Sequence, residues 1–212
     1  MSQKFSSGLR KQVESGIAIL QQGGIVAFPT DTVYGLGASM TIHQAVERIY
    51  RVKQRSRDMA LPLLVANTSQ IEAIAVTVPP VARDLINHFL PGALTIVLPA
   101  SCAVPEIITA GGTNVAVRIP AHPIPLALIE GIGTPLVGTS ANVTGKPSPL
   151  TAGEVYDQLG DEIDLVIDDS GCCRGQESTI VDATGETPVV LREGAISREE
   201  INACVLATGK GD

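Results

Sequence analysis

The chain has 212 residues, 44% of them hydrophobic and 17% charged, which suits a folded domain with its own core and excludes a disordered chain. Aromatic residues make up 3%, tryptophan is absent and the net charge is -7, so a base-stacking platform or a broad phosphate-backbone interface would be poorly supplied. No apolar run reaches membrane-spanning length and the opening MSQKFSSGLRKQ has no apolar signal core, so a cytoplasmic protein without a membrane partner is expected.

Val13, Ile17 and Leu20 stand at helical spacing within residues 9–22, and Gly23-Gly24 closes that helix. Residues 25–28 form an apolar run of strand length. The segment that follows, PTDTVYGLGA, reads as a ligand-gripping turn: Pro29 fixes φ, Thr30, Asp31 and Thr32 offer side-chain oxygens, and Gly35 and Gly37 bare the backbone. An ordinary turn has the same composition. Thr41 is placed to cap a helix with Ala45, Val46, Ile49 and Tyr50 on one face. That helix runs into Arg48, Arg51, Lys53, Arg55 and Arg57, five of the 15 basic residues within ten positions of an acidic chain.

Residues 62–66 read as a buried strand, followed by a helix from near Ser69 and another opened by Pro79-Pro80 and stopped by Pro91-Gly92. ALTIVL (93–98) and VAVRI (115–119) are strands by their β-branched content. A short helix over 124–129 and a strand over 135–138 precede the loop TSANVTGKPSP. Capping boxes Thr151-x-x-Glu154 and Ser197-x-x-Glu200 open the last two helices, with strands near 165–167, 178–181 and 189–191. Strands and helices alternate too irregularly for a doubly wound fold, and no G-x-G-x-x-G or P-loop motif occurs. A single α/β domain over residues 1–212, a mixed sheet flanked by helices, is expected.

The chemistry-bearing residues are basic and hydroxylic. Lys53 and Arg55 sit two apart, so a continuing helix would point them to different sides; to act jointly they need the chain to unwind there. Arg118 interrupts an apolar strand and needs a counterion, either a structural carboxylate or a ligand. Thr139, Ser140, Asn142, Thr144 and Ser148 lie on the small-residue loop after a strand, while Ser178 opens one strand and Arg192 closes another. Together these suit a compact anion such as a nucleotide plus an amino acid. No nucleophile–base pair is evident among them. His43, His88 and His122 lie in ordinary contexts, with His122 read as a surface histidine in a turn. Cys102, Cys172, Cys173 and Cys204 have neither metal-ligand spacing nor an ordinary disulfide pattern, and are expected to be free thiols.

Taken in order, FPTDTVYGLGA, Lys53-x-Arg55, PGALTIVLP, VAVRIPAHP, SANVTGKPSP, ESTIVD and LREG resemble the YrdC/Sua5 family of threonylcarbamoyl-AMP synthases over nearly the whole chain. The resemblance implies a YrdC-like twisted mixed sheet around an open, positively lined cavity. It also implies an activity: L-threonine, bicarbonate and ATP, with Mg²⁺ on the phosphates, give threonylcarbamoyl-AMP and pyrophosphate. This is the first step towards the t6A modification of tRNA, and a tRNA-modifying transferase complex would receive the product. By position, Lys53, Arg55, Ser140 and Asn142 match the family's catalytic K-x-R and S-x-N residues, with the Lys and Arg facing phosphate. Thr32, Tyr34, Arg118, Gly138 and Ser178 resemble threonine-side positions, the small backbone at Gly138 allowing close approach. Arg55, Asn114, Ser140, Ser148 and Arg192 resemble nucleotide-side ones, and no dedicated protein metal site is implied.

The match has departures. Ala66 and Asn67 stand where relatives often carry a threonine-contacting histidine, the span from Arg55 to Pro62 is about two residues longer, and Glu193 replaces a usual proline. The chain is expected to be the short, catalytic-domain-only form. A paralogue with drifted activity is the alternative within the fold; an RNA-binding module is opposed by the charge and the scarcity of aromatics.

Overall fold

The structure is a computed structural model that describes residues 5–169 and 175–208. Cys172 and Cys173 lie outside the described residues; Cys102 is an exposed free thiol, as expected, and Cys204 is buried in the core. Helix α1 (Ser7–Gln21) starts where the Ser6 hydroxyl accepts from the Leu9 amide, and it buries Val13, Gly16 and Leu20. Strand β1 (Val26–Phe28) follows and is buried throughout. The next element departs from expectation: Gly35–Ser39 is a strand, β2, which pairs antiparallel with β1 so that Phe28 faces Gly35 and Val26 faces Gly37. Its glycines accommodate the Phe28 ring, since a Cβ on Gly35 or Gly37 would stand 2.9 or 2.7 Å from ring carbons. The ligand-gripping turn therefore shortens to residues 29–34.

Helix α2 (His43–Val52) begins at Ile42 without a side-chain cap; Thr41 instead bonds Ser39 through their hydroxyls. Strand β3 (Leu63–Leu64) leads to α3 (Thr68–Ile74), which Asn67 caps, and then to α4 (Pro80–Phe89). Strand β4 (Leu94–Pro99), the short helix α5 (Glu106–Thr109) and strand β5 (Asn114–Arg118) come next. Helix α6 (Pro123–Ile132) is longer than its sequence suggested, because His122 caps it by accepting from the Ile124 amide. His122 is accordingly buried rather than a surface turn residue. Strand β6 (Leu136–Ser140), helix α7 (Ala152–Leu159), strands β7 (Leu165–Val166), β8 (Thr179–Asp182) and β9 (Val189–Arg192), and helix α8 (Arg198–Thr208) complete the order. The Ser197 capping box forms in both halves; at the other helix Thr151 accepts from the Glu154 amide, while the Glu154 carboxylate takes the Leu150 amide rather than that of Thr151.

The nine strands among the described residues join one mixed sheet in the order β7-β1-β2-β6-β3-β5-β4-β8-β9. Parallel pairing is confined to β1 with β7, β3 with β5 and β4 with β8. The sheet thus interleaves elements distant in sequence, and the register sets which side chains share a face. No helix among the described residues is long and apolar enough to cross a membrane.

Candidate active site

Side chains two residues apart on a strand share a face of the sheet. A cavity of about 230 Å³ is floored by such pairs: Pro62 and Leu64, Ala116 and Arg118, Gly138 and Ser140, Ser178 and Ile180. Cross-strand partners agree, since Gly35 faces Ser140, Leu64 faces Arg118, and Ile180 faces both Thr95 and Arg192. Each of these residues lines the cavity. Thr30, Thr32 and Val33 from the shortened turn form one wall and Arg55 another. The site is therefore one patch of sheet face with three arginines around it.

Arg118 is buried and has its counterion in the fold. Its Nη2 donates to Asp31 Oδ1 at 2.6 Å, Nη1 to Thr32 Oγ1 at 2.9 Å and Nε to the Gly92 carbonyl at 2.8 Å. Of the two sources of charge balance open in the sequence, a structural carboxylate is present. Burial pulls the guanidinium's pKa down and the Asp31 charge opposes that pull. Five N–H groups and three such bonds leave one N–H each on Nη1 and Nη2. The turn is ordered as a chain of donors: Arg118 to Thr32, Thr32 to Thr30, and Thr30 Oγ1 to the Val33 carbonyl at 2.7 Å. With its proton committed, the Thr32 hydroxyl offers the cavity an acceptor.

The chain unwinds where α2 ends, as joint action of Lys53 and Arg55 would need, yet the two side chains part company. Lys53 is the C-cap of α2 and Gln54 takes a left-handed φ of 49°, which turns Arg55 into the cavity. Lys53 points elsewhere. Its Nζ donates to the carbonyls of Ser140 and Asn142 at 2.5 and 2.7 Å and to Asn142 Oδ1 at 3.3 Å, outside the cavity lining. Burial first, and the Arg55 charge second, lower its pKa to about 8. Asn142 is committed as fully, its Nδ2 donating to the carbonyls of Val143 and Lys146. The K-x-R and S-x-N residues thus divide: Arg55 and Ser140 reach the cavity, while Lys53 and Asn142 hold the loop behind Ser140. Arg55 Nε and Nη2 donate to the carbonyls of Met59 and Ala60 at 3.2 and 2.8 Å, tying the residue to its own loop.

The remaining expected residues fall into two groups. Thr32, Gly138, Ser178 and Arg192 line the cavity with those above. Tyr34 is buried in the core, Asn114 is exposed at the start of β5, and Ser148 bonds Glu177; none of the three is in the lining. Asn114 does share the face of Ala116 and Arg118, two residues beyond the cavity floor. Gly138 is bare for a reason other than ligand approach: a Cβ there would lie 2.3 Å from Leu64 Cγ on the neighbouring strand. Gly138→Ala is expected to cost about 1–3 kcal/mol by overpacking, read as a lower urea midpoint at unchanged slope.

Three lining or supporting residues have roles that the sequence did not assign them, Asp31 being legible there only as a side-chain oxygen of the turn. Asp31, the Arg118 counterion, lies 87 positions away. Thr95 bonds the Ser178 hydroxyl at 2.8 Å, and a polar residue inside the apolar run ALTIVL was the signal for it. Glu177 pairs with Arg192 Nη1 and accepts from Ser148 Oγ. Its signal was a carboxylate next to Ser178 at the mouth of a hairpin that Arg192 closes.

A model of the Sua5/YciO/YrdC family, described as telomere recombination, matches residues 18–194. A threonylcarbamoyl-AMP synthase of Pyrococcus abyssi is 42% identical over 194 residues, covering 92% of this chain and 57% of the relative. A putative threonylcarbamoyl-AMP synthase of Mycobacterium tuberculosis is 38% identical, covering 89% of this chain and 87% of that one. Among solved structures, P. abyssi Sua5 complexed with L-threonine superposes with a TM-score of 0.87 at 43% identity, covering 91% of this chain and 56% of that one. Escherichia coli YciO gives 0.82 at 29% identity, covering 91% and 93%. The chain spans little more than half the length of the P. abyssi and Bacillus subtilis synthases it matches, 57% and 56%. A family model over most of the sequence, a relative covered over 87% of its length and the close superposition on P. abyssi Sua5 agree that this chain belongs to the Sua5/YciO/YrdC family.

Proposed function

We propose that the chain is a threonylcarbamoyl-AMP synthase, joining L-threonine, bicarbonate and ATP and releasing pyrophosphate. The observation that carries this reading is the single cavity in which Arg55, Arg118 and Arg192 converge with the hydroxyls of Thr32, Ser140 and Ser178. Two anionic groups, a carboxylate and a polyphosphate, need such separated cations. The names of the relatives and the L-threonine complex of P. abyssi Sua5 support the choice of substrates.

In this reading the two spare N–H groups of Arg118 take the threonine carboxylate, with the Thr32 hydroxyl accepting from a neighbouring donor on the substrate. Threonine's amine adds to bicarbonate-derived CO₂, and a carbamate oxygen attacks the α-phosphorus of ATP. The bond from that phosphorus to the β-phosphate oxygen breaks, and pyrophosphate carries away the electron pair. No enzyme nucleophile is needed, so catalysis rests on positioning and on neutralising charge. Arg55 and Arg192 face the phosphates, Ser140 and Ser148 hydrogen-bond the nucleotide, and Asn114 extends the same sheet face beyond them. Lys53 and Asn142 act through the loop they hold, and Tyr34 supports the threonine pocket from the core.

Mg²⁺ has no cage of protein donors: among the described residues no group of three or more acidic, His or Cys side chains could hold a metal. The ion belongs to the ATP phosphates as part of the substrate. A cytoplasmic setting, a tRNA-modifying transferase complex as consumer of the product, and no stable nucleic-acid complex of its own complete the reading.

The test is pyrophosphate release from MgATP by the purified protein, with threonine and bicarbonate each left out in turn. Release that needs both is the expected result. Equal release without threonine, or none in the full mixture, would leave a paralogue of different activity on the same fold.

A further inference from the structure

Two carboxylate–arginine pairs border the cavity, and they differ in what they can do. Asp31 and Arg118 are shut in, with side chains 8% and 12% exposed for the arginine and aspartate. Glu177 and Arg192 stand open, with side chains 37% and 44% exposed. Among the described residues Glu177 is the only acid in the lining, and its carboxylate sits where a ligand anion is wanted. Oε1 accepts from Ser148 Oγ at 2.5 Å and Oε2 pairs with Arg192 Nη1. These are the hydroxyl and the guanidinium assigned above to the nucleotide.

The backbone beneath is fixed. The Ala195 amide donates to the Glu177 carbonyl at 2.9 Å, and Gly194 passes so close that a Cβ on it would stand 2.3 Å from that oxygen. Arg192 is held independently, its Nη2 donating to the Ser178 carbonyl at 2.8 Å. So Arg192 keeps its place when the glutamate leaves, and the half-exposed Glu177 side chain can rotate into solvent by a change of rotamer.

We propose that Glu177 is a resident anion: it occupies the Ser148–Arg192 seat in the ligand-free chain and yields it when the phosphate-bearing nucleotide binds, so that it tempers nucleotide affinity. The proposal rests on the synthase reading only for the identity of the ligand as a nucleotide. Physically, an entering phosphate must displace an intramolecular competitor for the same donors and then lie near its negative charge. Both effects weaken binding; a neutral amide removes the repulsion and, without charge assistance, competes only weakly for the same donors. The same competition helps the anionic product leave, because the glutamate can retake the seat.

The experiment is calorimetric titration of ATP, with adenosine as the uncharged probe, into the full chain and its Glu177→Gln and Glu177→Asp variants at one salt concentration. Glu177→Gln is expected to bind ATP about tenfold tighter, or about 1.4 kcal/mol, with adenosine affinity unchanged. Glu177→Asp keeps the charge but shortens the reach, and should fall between the two. In an Arg192→Ala background the gain from Glu177→Gln should shrink, since the seat itself has gone. Unchanged or weaker ATP binding by Glu177→Gln, with the wild type still binding, would overturn the resident anion and leave the synthase reading standing. Failure of both folded proteins to bind ATP would overturn the nucleotide assignment and this inference with it.

Discussion

Arg118→Ala is expected to lower stability by about 3–5 kcal/mol, because it strands the Asp31 carboxylate in a buried setting. Threonine affinity should fall about a hundredfold in the fraction that folds, the worth of one or two charge-assisted hydrogen bonds. These two losses have different causes and can be separated. Replacing the pair together, Arg118→Met with Asp31→Asn, removes the stranded charge and is expected to recover most of the stability. It should recover none of the threonine binding. Urea unfolding reads the first quantity and calorimetry with L-threonine the second. A double variant that binds threonine as the wild type does would contradict the role given to Arg118.

The second large effect is expected at Lys53, and it acts through the loop rather than on the substrate. Lys53→Met keeps the volume but takes three donors from the carbonyls of Ser140 and Asn142 and from the Asn142 side chain. The stability cost should be about 2–4 kcal/mol. A displacement of Ser140 by roughly 1 Å would lower kcat about a hundredfold, with threonine affinity nearly unchanged. The pH dependence identifies the group. Burial and the Arg55 charge bring the folded ammonium to about 8 from an ordinary 10.5. Between those values the unfolded chain still holds a proton that the folded chain has released, so stability rises with pH from about 8 towards 10.5. In Lys53→Met that contribution should be missing, and denaturation at pH values spanning the window checks it. An identical slope in wild type and variant would assign the proton to another residue.

Much of this molecule could be read before its structure, and the parts that could not have physical reasons. The helix starts at Thr151 and Ser197 were local signals, readable because a cap bonds an amide two or three residues away, whereas the start at Ser6 was placed a few residues late. Strand β2 had no such signal, because GLGAS has no β-branched residue; it is a strand because Phe28 across the ladder needs its glycines. The helix break between Lys53 and Arg55 was expected as the condition for the two to act jointly, and the break is there. Where each side chain then went was not legible, since the carbonyls that hold Lys53 come from a loop 87 to 89 positions later. The cavity was expected at strand ends and proves to be one face of the sheet. That face is defined by a register between strands such as β3 and β5, which no local pattern records. His122 looked like a turn residue because its cap partner follows two prolines, Pro120 and Pro123, that read as loop.

The direct test of the central claim is to supply ATP, L-threonine and isotopically labelled bicarbonate and to weigh the nucleotide product by mass spectrometry. The account predicts an adenylate that carries both the label and the threonine, formed in step with pyrophosphate. An adenylate of threonine without the label, or pyrophosphate with no labelled adenylate, would contradict a carbamate as the attacking group and with it the function proposed for this cavity.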